Sequence, residues 1–349
     1  MFDPSHTIPG LAAFPRQPLS QGQTPLEALP ALGSELGIVL STKRDDCQTL
    51  AFGGNKVRQL EFYFGAAVQM AADSVLITGA LQSNFTRLTA AAARRLGLVP
   101  HIQLEERVAK TDPLYHSSGN LFLNQLLGAE IDFFPSGEEE AAADRALDQR
   151  AEELRAAGGR PYVIHLGLDH PPIGGLGYVA AAAELWAQLE GATERPDLIV
   201  VPSGSGLTHA GMLVGVRALG WQVAVQGIAV RRGADMQRPR VRQRAAELAA
   251  MIGRLELIDD GDILIDDSVL APGYGQLNPA TKEAITLAAG REGLLLDPVY
   301  SGRCLAGLID LVRRGEIAPE TRVLFLHTGG LPALFAYQNL MDEAQSKYE

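Results

Sequence analysis

Asp197-Leu-Ile-Val-Val-Pro-Ser-Gly-Ser-Gly-Leu-Thr-His-Ala-Gly211 decides the fold. Four apolar residues run without a break, a turn of glycine and hydroxyl residues follows, and a helix opens. A strand that is apolar at successive positions is covered on both faces, as in a parallel sheet. The pattern recurs on either side. Apolar, β-branched runs predict strands at Gly37–Thr42, Ser74–Thr78, Val99–Leu104, Glu130–Phe134, Pro161–Leu166, Asp197–Pro202, Val223–Val230, Leu294–Pro298 and Val323–His327. Ala- and Leu-rich stretches predict helices at 57–72, 84–96, 117–128, 138–157, 175–190, 208–219, 238–252, 279–292, 303–314 and 332–340. Strand–helix alternation predicts an α/β fold with crossover connections.

The chain has 349 residues, enough for two domains with a large core. No Pro/Ser-rich linker separates them, so the domains must be interleaved. Hydrophobic residues make up 46% and charged residues 20%, which excludes a disordered or fibrous chain. A net charge of −11 argues against sequence-independent nucleic-acid binding and against anionic membranes. No apolar run approaches the ~18–20 residues of a membrane span. The first 20 residues lack a signal-peptide pattern and read as an extended arm. Cys47 and Cys304 form no disulfide framework and read as reduced thiols of a cytoplasmic protein. The acidic stretch Gly137–Ala157 reads as an exposed amphipathic helix.

Five segments could carry chemistry. In Phe52-Gly-Gly-Asn-Lys-Val-Arg-Gln-Leu-Glu61, two glycines precede a lysine at a helix start. Lys56 is either solvated or, if buried, a Schiff-base amine. In Thr78-Gly-Ala-Leu-Gln-Ser-Asn-Phe-Thr-Arg87, Ser83 or Asn84 caps a helix, or seats a carboxylate there. Residues Ser203–Thr208 make either a tight turn or a phosphate cradle. The third glycine of a dinucleotide fingerprint is His209, and Arg231-Arg232 follow the next strand where an acidic residue is needed, so NAD binding is not expected. The fourth and fifth segments, Leu296-Asp-Pro-Val-Tyr-Ser-Gly-Arg303 and Leu326-His-Thr-Gly-Gly-Leu-Pro332, follow strands, on the edge where ligands bind. Tyr274 and Tyr300 are acid/base candidates or amphipathic core residues. His165 and His170 with Asp169 match no metal-ligand spacing, and no metal is expected.

In this order, the five segments resemble the pyridoxal-phosphate-dependent family of D-cysteine desulfhydrase and 1-aminocyclopropane-1-carboxylate deaminase. The likeness runs from about Pro18 to Tyr337. It implies two interleaved three-layer α/β/α domains of the tryptophan-synthase-β (type II) fold. Residues 1–54 with 169–349 would form the larger domain and 55–168 the smaller, in a homodimer. The resemblance makes Lys56 the Schiff-base lysine and places Asn84 at the cofactor's phenolate oxygen. Ser203, Gly204, Ser205, Gly206, Leu207 and Thr208 would bind the phosphate, and Ser301 and Thr328 would lie at the ring. Gln82, Ser83, Asn84 and Phe85 would bind the substrate, a small amino acid, with Ser83, Tyr274 and Tyr300 at the reacting atoms.

Ser301 and Thr328 side with the desulfhydrases, which carry a hydroxyl residue and HTGG there. The Asp169-His170-Pro171 segment, and Leu114-Tyr115 with Gly119-Asn120, side with the deaminases. Phe85 stands where the family has histidine, and Gln59 where it has a second lysine. The expected activity is α,β-elimination, D-cysteine to pyruvate, ammonia and sulfide being first choice. Deamination of 1-aminocyclopropane-1-carboxylate is second, and a non-catalytic pyridoxal-phosphate or amino-acid binding protein third.

Overall fold

The computed structural model describes residues 2–108, 112–135, 137, 140–192 and 194–342. Ten strands are found among them: β1 Leu26–Ala28, β2 Val39–Arg44, β3 Ser74–Ala80, β4 Val99–Glu105, β5 Glu130–Phe134, β6 Pro161–Ile164, β7 Leu198–Ser203, β8 Ala224–Ala229, β9 Leu264–Asp266 and β10 Arg322–His327. The helices are α1 Pro30–Leu36, α2 Asn55–Gln69, α3 Asn84–Arg95, α4 Gly119–Leu126, α5 Glu140–Ala156, α6 Leu176–Gln188, α7 Leu207–Ala218, α8 Ala234–Met251, α9 Pro279–Glu292, α10 Ser301–Arg313, α11 Leu331–Phe335 and α12 Gln338–Asp342. Of the helix expected over 138–157, Glu138 and Glu139 lie outside the described residues.

One sheet runs β1-β2-β10-β7-β8-β9 and is parallel except for β1. The other runs β5-β4-β3-β6 and is all parallel. Alternating side chains pack to opposite faces. On β7, Ile199 and Val201 join a core with α6, α7 and α8, while Val200 joins a second core with α9 and α10. On β3, Val75 and Ile77 pack with α2 and α3, and Leu76 packs with Leu147 and Ala151 of α5. Each sheet is therefore the middle of three layers.

Three expectations need correction. Leu294–Pro298 is not a strand. Leu294 and Leu296 are buried and Leu295 is exposed, which mimics strand alternation, but β10 already pairs with β2 and β7. The segment links α9 to α10, and its Asp297 N–H donates to Ser301 Oγ instead of a ladder. The N-terminal arm is not simply extended: Pro4–His6 and Pro9–Ala13 form 3-10 turns that bury Ile8 and Leu11. The three-residue edge strands β1 and β9 are too short to show a period.

A buried charge cluster joins these layers. Arg58 on α2 gives two nitrogens to Asp45 (3.0 and 2.8 Å) and two to Glu184 on α6 (2.9 Å each). Lys43 Nζ on β2 lies 2.5 Å from Glu184, and Tyr178 donates to Asp45 at 2.5 Å. Burial raises the Glu184 carboxyl, but Arg58 and Lys43 more than reverse this, down to about 2. Removing one partner of a buried pair leaves a charge stranded in low dielectric. Glu184→Ala is expected to cost about 3–5 kcal/mol, read as a lower urea midpoint. In the wild type this contribution is present above pH 4.5 and is lost as pH falls toward 2; an acid limb identical in wild type and variant would contradict it.

Candidate active site

The C-terminal ends of strands from both sheets face one cleft, open to solvent. Such edges carry the site in open α/β sheets. β7 leads into the 203–208 turn, β10 into Thr328, β3 into Ser83, β4 into Arg107 and β8 into Arg231.

Lys56 stands in the first turn of α2, behind Gly53 and Gly54, both at positive φ. A Cβ on Gly54 would lie 2.8 Å from the Thr328 carbonyl, so only glycine lets the two loops meet. The Asn55 N–H donates to that carbonyl at 3.1 Å. Lys56 Nζ lies 3.4 Å from Gln59 Oε1 and 4.9 Å from the centre of the Phe85 ring. No carboxylate salt-bridges it among the described residues, and burial lowers its pKa to about 8. A free amine is thus accessible near neutral pH, as covalent chemistry with an aldehyde needs.

Ser83 caps α3, its Oγ accepting from the N–H groups of Phe85 (3.2 Å) and Thr86 (3.3 Å). Its hydroxyl hydrogen remains to donate into the cleft. Asn84 lines the cleft, its Oδ1 taken by Arg87 and Asn120. Across the cleft, Gly204 and Ser205 precede α7, whose first N–H groups have no partner within the helix. Gly206 caps that helix at φ +90°. The Tyr274 and Tyr300 hydroxyls lie 2.7 Å apart. Burial and the neighbouring Tyr274 push the Tyr300 pKa well up, so it stays a proton donor. The Thr328 hydroxyl lines the cleft and is buried without a hydrogen-bond partner among the described residues.

The cleft therefore gathers Lys56, Ser83, Asn84, Phe85, Gly204, Ser205, Tyr274, Tyr300 and Thr328. Other candidates stand behind it. The Gln82 amide donates to the Tyr115 and Ser118 carbonyls, tying α3 to the segment before α4. Ser203 Oγ accepts from Gln237, and Thr208 Oγ1 accepts from Asn55 and Gln59. Leu207 is buried in the first turn of α7. Ser301 is fully buried, and its hydroxyl donates to Asp297 at 2.6 Å.

The sequence reading missed Arg107, Glu140, Asp144, Arg231 and Arg240 in the wall. For Arg107 and Arg231 a signal existed, since both follow the ends of parallel strands. Asp144, His165 and His170 bring one ligand atom each within 4.8 Å of the others. The two imidazoles stack face to face at 3.8 Å, 6° from parallel, so their in-plane lone pairs do not converge.

A family model described as pyridoxal-phosphate dependent enzyme matches residues 18–329. A 1-aminocyclopropane-1-carboxylate deaminase of Burkholderia multivorans is 41% identical over 330 residues, 94% of this chain and 97% of the relative. A D-cysteine desulfhydrase of Klebsiella pneumoniae is 42% identical over 331 residues, 95% of this chain and 98% of the relative. A solved structure described as an ACC deaminase homologue superposes with a TM-score of 0.86 at 33% identity, covering 97% of this chain and 98% of that one. With the fold type and the cleft in agreement, the chain belongs to the pyridoxal-phosphate dependent enzymes, and its cofactor is pyridoxal 5'-phosphate.

Proposed function

We propose that this enzyme carries out α,β-elimination on a small β-substituted amino acid, with D-cysteine the first candidate. In sum, the amino acid and water give pyruvate, ammonium and the protonated leaving group. The observation that carries the reading is the half-buried Lys56 amine, which lies over the Phe85 ring in the cleft that Gly204 and Ser205 also line, without a carboxylate counter-ion among the described residues.

The residues present fit the cofactor. Lys56 would offer an amine for its aldehyde, Gly204, Ser205 and the start of α7 would offer N–H groups for its phosphate, and Asn84 would serve its phenolate oxygen. The Thr328 hydroxyl, unpartnered among the described residues, would be left to serve the ring nitrogen, with Ser301 behind it on Asp297. Bound there, the cofactor supplies the electron sink for cleavage at Cα. The Ser83 hydroxyl and the Asn84 N–H at the start of α3 would seat the substrate carboxylate. Lys56 would take the Cα proton. The tyrosine pair holds a proton beside the departing β-group. A neutral hydroxyl at the ring nitrogen does not enforce protonation there, which suits a reaction whose electrons leave with the β-substituent.

In the same reading, residues 1–54 with 169–349 form the larger domain and 55–168 the smaller. The enzyme is a cytoplasmic homodimer; among the described residues no helix is long and apolar enough to cross a membrane. Ring opening of 1-aminocyclopropane-1-carboxylate is the second reading, favoured by the Asp169-His170-Pro171 segment and by the deaminase relatives.

Lys56→Ala is expected to lose both turnover and the visible absorbance of the loaded enzyme; a variant that keeps that band would remove Lys56 from its role. Because burial disfavours the charged amine, uptake of pyridoxal phosphate by the cofactor-free protein is expected to rise with pH through about 8. A midpoint at the ordinary lysine value of 10.5 would contradict this. Elimination from D-cysteine yields pyruvate and ring opening yields 2-oxobutyrate. Pyruvate is the expected product, and release of 2-oxobutyrate alone, from 1-aminocyclopropane-1-carboxylate, would promote the second reading.

A further inference from the structure

We infer that Arg231 receives the negative charge of the substrate's β-substituent, so that the site selects amino acids whose β-group is an anion, such as a sulfonate. The inference rests on the elimination reading above.

Three guanidinium groups line the cleft, and two are already engaged. Arg107 grips the buried Glu105 with two nitrogens, at 2.8 and 2.5 Å. Arg240 spends all three on the Ser205 carbonyl (3.0 Å), the Leu166 carbonyl (3.1 Å) and Glu140 (3.4 Å). Arg231 gives one nitrogen, Nη1, to Glu140 at 2.6 Å. Its Nε and Nη2 bond no described residue, although the side chain is only 17% exposed.

Nor does Glu140 neutralise it fully. That single carboxylate also takes Arg232 and Arg240, so three cations share one anion. Arg232 and Arg240 lean on the Gly204 and Ser205 carbonyls, at the phosphate end. Arg231 shares the same Glu140 oxygen with Arg232, but its guanidinium carbon stands 5.9 Å from the centre of the Tyr274 ring, and Tyr274 is paired with Tyr300. A half-desolvated guanidinium with two free donors is a seat for an oxyanion or thiolate. The α-carboxylate is already provided for at α3 and the amine at the cofactor. The β-group remains, and the tyrosine end is where it would sit. A substituent that is charged from the start gains in binding, whereas one that becomes anionic as the Cβ bond breaks gains as its electron pair departs.

The test uses the loaded enzyme and both enantiomers of 3-sulfoalanine, cysteine and 3-chloroalanine, read as pyruvate. Arg231→Gln is expected to raise KM for 3-sulfoalanine relative to 3-chloroalanine, whose β-group is neutral until its bond breaks, by about 10- to 100-fold. Thiol and chloride, which both leave as anions, are expected to lose in kcat instead, with partial recovery in Arg231→Lys. An equal rise in KM for all three substrates would overturn the assignment, because it would mean contact with the shared carboxylate or a structural role. A second measurement needs no variant. With the wild type, 3-sulfopropanoate is expected to compete against 3-chloroalanine about tenfold more tightly than propanoate; equal inhibition would overturn the assignment while leaving elimination standing. Absence of pyruvate from every substrate would overturn the elimination reading, and this inference with it.

Discussion

Four ionised side chains, Lys43, Asp45, Arg58 and Glu184, meet in the protein interior and fix where the first turn of α2 can lie. Charges removed from water tolerate only geometries in which each finds its partner. Arg58 is therefore locked toward α6 and the start of the chain. Two residues along a helix turn about 200°, so Lys56 is directed the opposite way, into the cleft. Gln59, one residue further, reaches the Thr208 hydroxyl at 3.0 Å and ties the same helix to the 203–208 turn. The lysine and the turn are held in one relation by contacts that are not themselves part of the chemistry.

The cleft exists because two parallel sheets present their C-terminal edges to it. Each edge delivers a loop and, for β3 and β7, the start of a helix, so donors collect there from segments distant in sequence. Burial then does chemical work on them. It lowers the Lys56 ammonium and raises the Tyr300 hydroxyl, both toward their neutral forms. Phe85 adds an apolar wall beside the amine where a histidine would have brought a titratable ring. Membership of an enzyme family sets aside a role confined to binding.

Most of the architecture was legible locally. Strands buried on both faces, such as Leu198–Val201 and Val323–Leu326, are apolar throughout, and two of the helices carry their own caps, Ser83 for α3 and Asn278 for α9. Leu294–Pro298 misled because alternating burial looks the same with or without a ladder partner. His209 stands where a dinucleotide loop would need glycine, and the structure shows what it does: neutral and buried, it fills the space over Gly227, bonded to Ser203 and the Val225 carbonyl.

By itself the sequence determined the layered α/β plan, the lysine at the start of α2, the glycine-rich turn before α7 and the cap at Ser83, because each depends on neighbours within a few residues. Only the tertiary structure decided that Gln82 and Ser301 turn away from the cleft, that the Thr328 hydroxyl is left without a partner among the described residues, and that Arg107, Glu140, Arg231 and Arg240 share its wall. Those outcomes depend on side chains brought together from separate crossovers, and no spacing along the chain records which strand edges will face each other.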